Sequence, residues 1–431
     1  MKGSSVALIL VLVLVLSGLA LSPPAAAQRE VQQISERTYQ QLSRAHDLMK
    51  QGRYEDALAN LDRLRTRVQR RRDELALVLQ SYGHLYASQE KYPQAIAALT
   101  DCLALEALPA SATARTLYVL AQLQMVVADY PAAVTTLEQW FKLQRNPAPA
   151  ARALAGTAYA QVQRYAEAAE QLSKAIEEAN RPAENWYRQL LAVHYQSRQY
   201  TAAAELLQRM IVLFPARKDY WLQLSGVYTE TGSRTRAVAV LELAYLQGLL
   251  SEEHDLLSLA QHYLYTGLAH KAAELLEQSL RDGAVTASVD NWKLLVDAWL
   301  HARETDRALV AVEQALESAP HADLYLRLAQ LLADRERWHE VVRATELALA
   351  QDSLSSPGTA HLLAGMAQFH LQRPREAHSC FERALEFDHS RSQAQQWLRH
   401  LVTTRLYAEN QSAVYLTRKS HQPANGYRVT D

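Results

Sequence analysis

Apolar residues recur along most of this chain with the 3.6-residue period of an amphipathic helix, and the stripe restarts after each polar turn. Four stretches show the pattern: LYVLAQLQMVVADYPAAVTTLEQW (117–140), WLQLSGVYTETGSRTRAVAVLELA (221–244), WKLLVDAWLHARETDRALVAVEQA (292–315) and YLRLAQLLADRERWHEVVRATELA (325–348). Each opens on a large residue, followed by an apolar, a small and another large one at helical spacing. A second small residue follows the turn, with apolar positions four and then three further on. The spacing predicts two amphipathic helices joined by a tight turn, repeated along the chain.

The first small position falls at Ala45, Gly83, Ala121, Gly156, Leu191, Ser225, Ala260, Val296, Ala329 and Gly365, at intervals of 33 to 38 residues. The second falls at Ala57, Ala95, Ala133, Ala168, Ala203, Ala237, Ala272, Ala308, Val341 and Ala377. Helices whose axes approach closely need a small side chain at the crossing, because a large one forces them apart. Gly83, Gly156, Gly226, Gly365 and these alanines are therefore structural positions, with Gly226 and Ala237 expected to pack across one hairpin. Leu191 and Val341 break the rule, so repeats five and nine are expected to be locally irregular. The 38-residue intervals suggest longer loops near Glu106–Ala112 and Gln144–Ala148.

These features resemble the tetratricopeptide repeat, a 34-residue helix-turn-helix unit. Tyr54, Tyr92, Tyr130, Tyr165, Tyr200 and Trp338 stand at the inter-helix turn, and Pro182, Pro215 and Pro320 close three second helices. The resemblance implies an all-α solenoid of about ten repeats over residues 38–388, since no helix pair buries its own apolar stripe. Residues 389–410 read as a helix that covers the last repeat. Residues 411–431 are polar and without period, and are expected to be disordered.

Composition narrows the class. Of 431 residues only 13 are Gly and 13 Pro, too few turn residues for an all-β sandwich. Lys and Arg total 45 against 46 Asp and Glu, which leaves no broad basic face for nucleic acid. The cluster Arg65–Arg72 reads as a solvated helix end, with a contact for an acidic partner or lipid headgroups as the alternative.

Residues 1–27 read as an export signal: Lys2, an apolar run from Val6 to Leu21, then Pro23-Pro24 and the small-residue stretch Ala25-Ala26-Ala27. Cleavage is expected after Ala27, with 28–37 as a linker and the periplasm as destination. Retention of the run as an anchor is the alternative. Cys102 and Cys380 lie on apolar helix faces many repeats apart, and no disulfide is expected between them.

No phosphate-binding glycine loop, nucleophile elbow or zinc-ligand spacing occurs. The reading is therefore non-enzymatic, with no cofactor, no metal and no catalytic residue. Function is then expected on the surface. In tetratricopeptide repeats the first helices line a groove, and the resemblance carries this role to Tyr118, Gln122, Arg188, Tyr195, Leu222, Leu257, Gln261, Tyr265, Lys293, Asp297, Leu326 and Gln330. Leu362 and Met366 continue the series. The Lys/Asn set that clamps a chaperone's terminal carboxylate is not reproduced.

A narrower resemblance covers 184–315. Trp186-Tyr187, Tyr220-Trp221-Leu222 to Tyr228, Leu241 to Tyr245, Gln247-Gly248-Leu249-Leu250, Tyr263-Leu264-Tyr265, Asn291-Trp292 and Ala298-Trp299-Leu300 are similar to exported bacterial tetratricopeptide proteins assigned to TonB systems. That likeness implies a periplasmic scaffold binding an extended, Pro-rich segment of an envelope or TonB-system protein, with membrane association only through partners. The alternative is an assembly factor for exported polysaccharide or outer-membrane proteins.

Overall fold

The computed structural model describes residues 34–403, so residues 1–27, expected to be an export signal, and the expected tail 411–431 lie outside the described residues. Among the described residues every regular element is a helix. The chain divides into two units, Met1–Ala202 and Ala203–Asp431.

The N-terminal unit holds α1 (Glu36–Lys50), α2 (Tyr54–Val68), α3 (Arg72–Ser88), α4 (Tyr92–Ala104), α5 (Ala110–Val126), α6 (Tyr130–Leu143), α7 (Pro149–Gln161), α8 (Tyr165–Glu178) and α9 (Glu184–Gln196). The division falls within α10 (Tyr200–Leu213). The C-terminal unit continues with α11 (Lys218–Glu230), α12 (Arg234–Leu246), α13 (Glu253–Tyr265), α14 (Ala269–Arg281), α15 (Val289–His301) and α16 (Thr305–Ser318). It ends with α17 (Ala322–Ala333), α18 (Trp338–Leu349), α19 (Pro357–His370), α20 (Pro374–Ala384) and α21, described over 388–403. Within each unit an odd helix packs on the following even one, and the even helix on the next odd one, as in α3–α4–α5 and α17–α18–α19. This is a tetratricopeptide-type solenoid stack.

Ten turns share one backbone device. Seven residues after each first small position the chain enters the left-handed region: Gly52, Glu90, Ala128, Gln163, Arg198, Gly232, Gly267, Arg303, Glu336 and Gln372. The next N–H then reaches back to the end of the odd helix, as from Lys91 to the Tyr86 carbonyl or Asp129 to that of Gln124, both at 2.9 Å. Such a closure satisfies carbonyls the ending helix leaves without partners. Even helices start at once, several with a proline in the first turn (Pro93, Pro131, Pro374), where no N–H is needed.

The small positions sit where helices meet. A Cβ on Gly83 would lie 2.3 Å from Leu99 Cδ2, one on Gly156 2.6 Å from Leu172 Cγ, and one on Gly365 2.5 Å from Phe381 Cε1. Ala95, Ala121, Ala133, Ala168, Ala260, Ala272, Ala308, Ala329 and Ala377 are fully buried, and Ser225 and Ala237 nearly so. Gly226 departs from expectation. It is exposed, with nothing within 4 Å of a built Cβ, because its neighbour Ser225 occupies the packed position.

Other expectations also shift. Leu191 and Val341 are buried on unbroken helices, so any irregularity there stays out of the helical backbone. The extra residues of the early repeats lengthen helices: α3 and α5 have 17 residues where α7 has 13. The longest loops lie elsewhere, at 282–288 and 350–356. Helix α21 packs Ala394, Trp397 and Leu401 on the apolar end of α19 and α20, with the Trp397 ring stacked 5.6 Å from Phe381.

Candidate partner-binding face

The odd helices lie beside one another within each unit, α1 with α3, α7 with α9 and α17 with α19. Residues three before, one after and four after the small position project from one side of each odd helix, since four- and three-residue steps share a face.

In the N-terminal unit Tyr118 is half-buried, its ring 5.2 Å from that of Trp140. Burial pushes its phenol up, while a hydrogen bond with Gln122 opposes the rise. Arg188 is exposed on α9. Tyr195 is half-buried, and burial together with Tyr200 raises its phenol. Two further side chains of this face are not singled out by the sequence reading: His46 and His84, each one place after a small position. Extending the positional rule back into repeats one and two would have found them. His46 Nε2 lies 3.3 Å from Ser81 Oγ, tying α1 to α3, and Gln80 donates to Thr116 Oγ1 at 2.8 Å, tying α3 to α5.

In the C-terminal unit much of the same face is spent on internal pairs. Lys293 on α15 reaches Asp323 on α17 at 2.7 Å. Asp297 pairs with Arg327, which also donates to Gln330 at 3.2 Å. Lys218 on α11 reaches the buried Asp255 on α13 at 3.0 Å. Leu222 and Leu257 are half-buried against the core. Leu326 is buried against Ala348 and Ala360, so it belongs to the core and not to the groove, a consequence of α18 and α19 closing over it. Gln261 is exposed, and Tyr265 is 65% exposed with the Arg234 guanidinium 4.4 Å from its ring centre.

Other chemistry is sparse. Glu252, His254 and Asp255 bring possible metal-ligand atoms within 4.8 Å of one another. The Lys218 ammonium already lies beside two of them, 3.5 Å from Glu252, and supplies the positive charge. Cys102 and Cys380 are free thiols, the first pushed up to about 11 by burial and so inert as a nucleophile. In the basic cluster Arg71 pairs with Glu74 at 3.1 Å. A polar cleft of about 520 Å³ lies between α1 and α2, lined by Tyr39, Arg44, Asp47, Asn60 and Arg63. No helix of the described residues is long and apolar enough to cross a membrane.

No protein-family model matches the chain, and no curated protein matches it. Among solved structures, the Naa15/Naa10 complex bound to HypK-THB is similar over 89% of this chain and 66% of its own, with 12% identity and a TM-score of 0.47. A tetratricopeptide repeat protein from Parabacteroides merdae matches over 61% of this chain and 98% of its own, with 15% identity and a TM-score of 0.36. YrrB, described as a tetratricopeptide protein with an unusual peptide-binding site, matches over 46% of this chain and 100% of its own, with 16% identity and a TM-score of 0.36. The fold class rests on the ten helix pairs themselves.

Proposed function

We propose that the chain is a non-catalytic scaffold that holds an extended segment of a partner protein along its odd helices. The observation that carries this is the chemistry on that face, half-buried at Tyr118 and Gln122 and exposed at Gln261 and Tyr265. Tyr118 and Gln122 in the N-terminal unit, and Gln261 and Tyr265 in the C-terminal one, occupy positions that no helix crossing requires. Aromatic rings interleaved with amides suit an extended peptide, which offers both apolar ridges and unpaired backbone groups. The export signal makes the periplasm the proposed site of action, and the resemblance over 184–315 makes a TonB-system or other envelope protein the proposed partner.

The test is photo-crosslinking in living cells with a benzophenone amino acid at Gln122 and Gln261, and at Glu170 and Glu313 on even helices as controls. One partner protein captured at both odd-helix positions and at neither control is the expected result. Capture at the controls alone overturns the reading. Intact mass of the purified protein checks the address: a mature chain beginning at Gln28 is expected, and residues 1–27 retained in a membrane fraction would instead indicate an anchor.

A further inference from the structure

Five arginines crowd the connection between α2 and α3. Arg65 and Arg67 stand in the last turn of α2, Arg70 and Arg71 in the connection, and Arg72 opens α3. All five are exposed. Leu64 and Val68 are buried beneath them and pin the end of α2, and the Arg71 N–H closes the turn on the Val68 carbonyl at 2.8 Å. The cluster is therefore a compact patch held on a fixed backbone.

The fold accounts for only part of this charge. Arg65 and Arg67 complement the negative end of the α2 dipole. Arg71 pairs with the buried Glu74. Arg70 belongs to neither helix, and Arg72 sits at the positive end of α3, where the dipole opposes a cation. Among the described residues Arg65, Arg67, Arg70 and Arg72 make no ion pair. Over 62–74 six arginines stand against three acids, Asp62, Asp73 and Glu74. Asp62 accepts from the Tyr82 hydroxyl and Glu74 is buried, so Asp73 alone remains to offset the exposed arginines. The whole chain has a net charge of −1, which makes the surplus local to this patch.

Glu74 also fixes where the patch lies. It accepts from the Ser35 N–H at 3.0 Å and from the Thr38 hydroxyl at 2.9 Å, so the α2–α3 connection stands beside the first turn of α1. This is where the chain enters the solenoid. Residues 22–33 separate Ile34 from Leu21, the end of the apolar run, and span at most about 45 Å when fully extended. While that run sits in a bilayer, at export or as an anchor, the arginines are held within reach of the headgroups.

We propose that Arg65, Arg67, Arg70 and Arg72 dock the entry end of the solenoid directly on an anionic lipid surface. Guanidinium groups suit such a surface, because each forks onto phosphate oxygens through two N–H donors. The attraction decays within about 8 Å at physiological salt, so it acts only once the patch faces the headgroups. An acidic protein segment would offer the same charge, but the place of chain entry favours the bilayer. The contact uses none of the odd-helix face positions and goes beyond the partner-binding reading.

The test uses the chain from Gln28 to Asp431, which keeps every described residue and removes the apolar run, so that run contributes nothing to binding. Sedimentation at about 0.1 M salt compares vesicles of phosphatidylcholine alone with vesicles containing about one-third phosphatidylglycerol. Binding to the phosphatidylglycerol vesicles alone is expected, and it should vanish near about 0.5 M salt. The R65Q/R67Q/R70Q/R72Q variant should melt as the parent does and partition roughly a hundredfold less, since each arginine near such a surface contributes about a factor of five. The R115Q/R209Q/R343Q/R375Q control, which removes the same charge from exposed arginines elsewhere, should bind as the parent does. Equal binding to both vesicles, binding to neither, or equal loss in the two variants overturns the proposal. An end-capped Glu-rich peptide bound by the parent and lost in the cluster variant, without vesicle binding, would give the patch to an acidic protein and overturn it as well.

Discussion

A glycine and an alanine in this chain stand in each other's best place. Ala128 closes the turn between α5 and α6 at φ 59°, where a Cβ crowds the backbone. Gly226 lies inside α11 in open space, where it contributes only flexibility to the unfolded chain. Ala128→Gly should therefore stabilise the protein by about 0.5–1 kcal/mol, and Gly226→Ala by a similar ~0.5–1 kcal/mol. Gly83→Ala should do the opposite, since its new methyl would meet Leu99. Urea midpoints of the three single variants check this, and destabilisation by Gly226→Ala would mean that Gly226 packs after all. These positions also mark how far the residues could be read. Small residues at crossings are legible, because only Gly, Ala or Ser fits between helix axes. The left-handed turn is not, because three of ten such residues are the expected kind, Gly52, Gly232 and Gly267, while Glu90, Arg198 and Arg303 give no local signal. Gly226 misled because it adjoins a packed position and is itself small.

At the level of elements, acids in the first turns of odd helices staple the long loops. Glu253 on α13 accepts from the Thr286 N–H at 3.0 Å and Oγ1 at 2.8 Å, and from Asn291 Nδ2 at 3.0 Å. Asp323 on α17 accepts from the Ser355 N–H at 2.9 Å and Oγ at 2.8 Å while facing Lys293. Burial alone would raise the Asp323 carboxyl, but Lys293 and the two Ser355 donors more than offset it and hold it at about 2. A carboxylate lowered in the folded state contributes stability above its unfolded value near pH 4, and that contribution is lost as pH falls toward about 2. With its side chain 14% exposed, the contribution is on the order of 2 kcal/mol. Asp323→Asn should lower the urea midpoint clearly at about pH 6, and the gap from the parent should narrow steadily below about pH 4. A gap that stays constant with pH would show that Asp323 acts by shape and not by charge. The pairs explain why half of the expected groove went unread. Lys293 and Asp297 have the right spacing for a groove, but their partners lie about thirty residues away on the next odd helix, and spacing within one repeat does not reveal that. Leu326 is misassigned for a related reason, since the closure of α18 and α19 over it is set by the neighbouring repeat.

For the whole molecule, the periodicity was legible because each repeat restates the same small and large positions, and errors at one are corrected by the others. The division near Ala202 was not, since it falls inside α10 where the period runs on without a break. A stack of this kind is held by contacts between neighbours, so damage at an end should fade with distance along it. Trp397 is the test, because its ring sits on Phe381 and Phe369 and covers the last apolar surface of the C-terminal unit. Trp397→Ala should remove about 3–5 kcal/mol of local packing if the site cannot collapse. Hydrogen exchange should then speed up most in α19, α20 and α21, less in α17 and α18, and little in α11 to α14, because each intact interface resists opening of the next. The same substitution in a single cooperative core would raise exchange evenly over the unit. A graded response places the opening at the capped end, and an even one would mean that the C-terminal unit melts as a block, with α21 acting as part of its core.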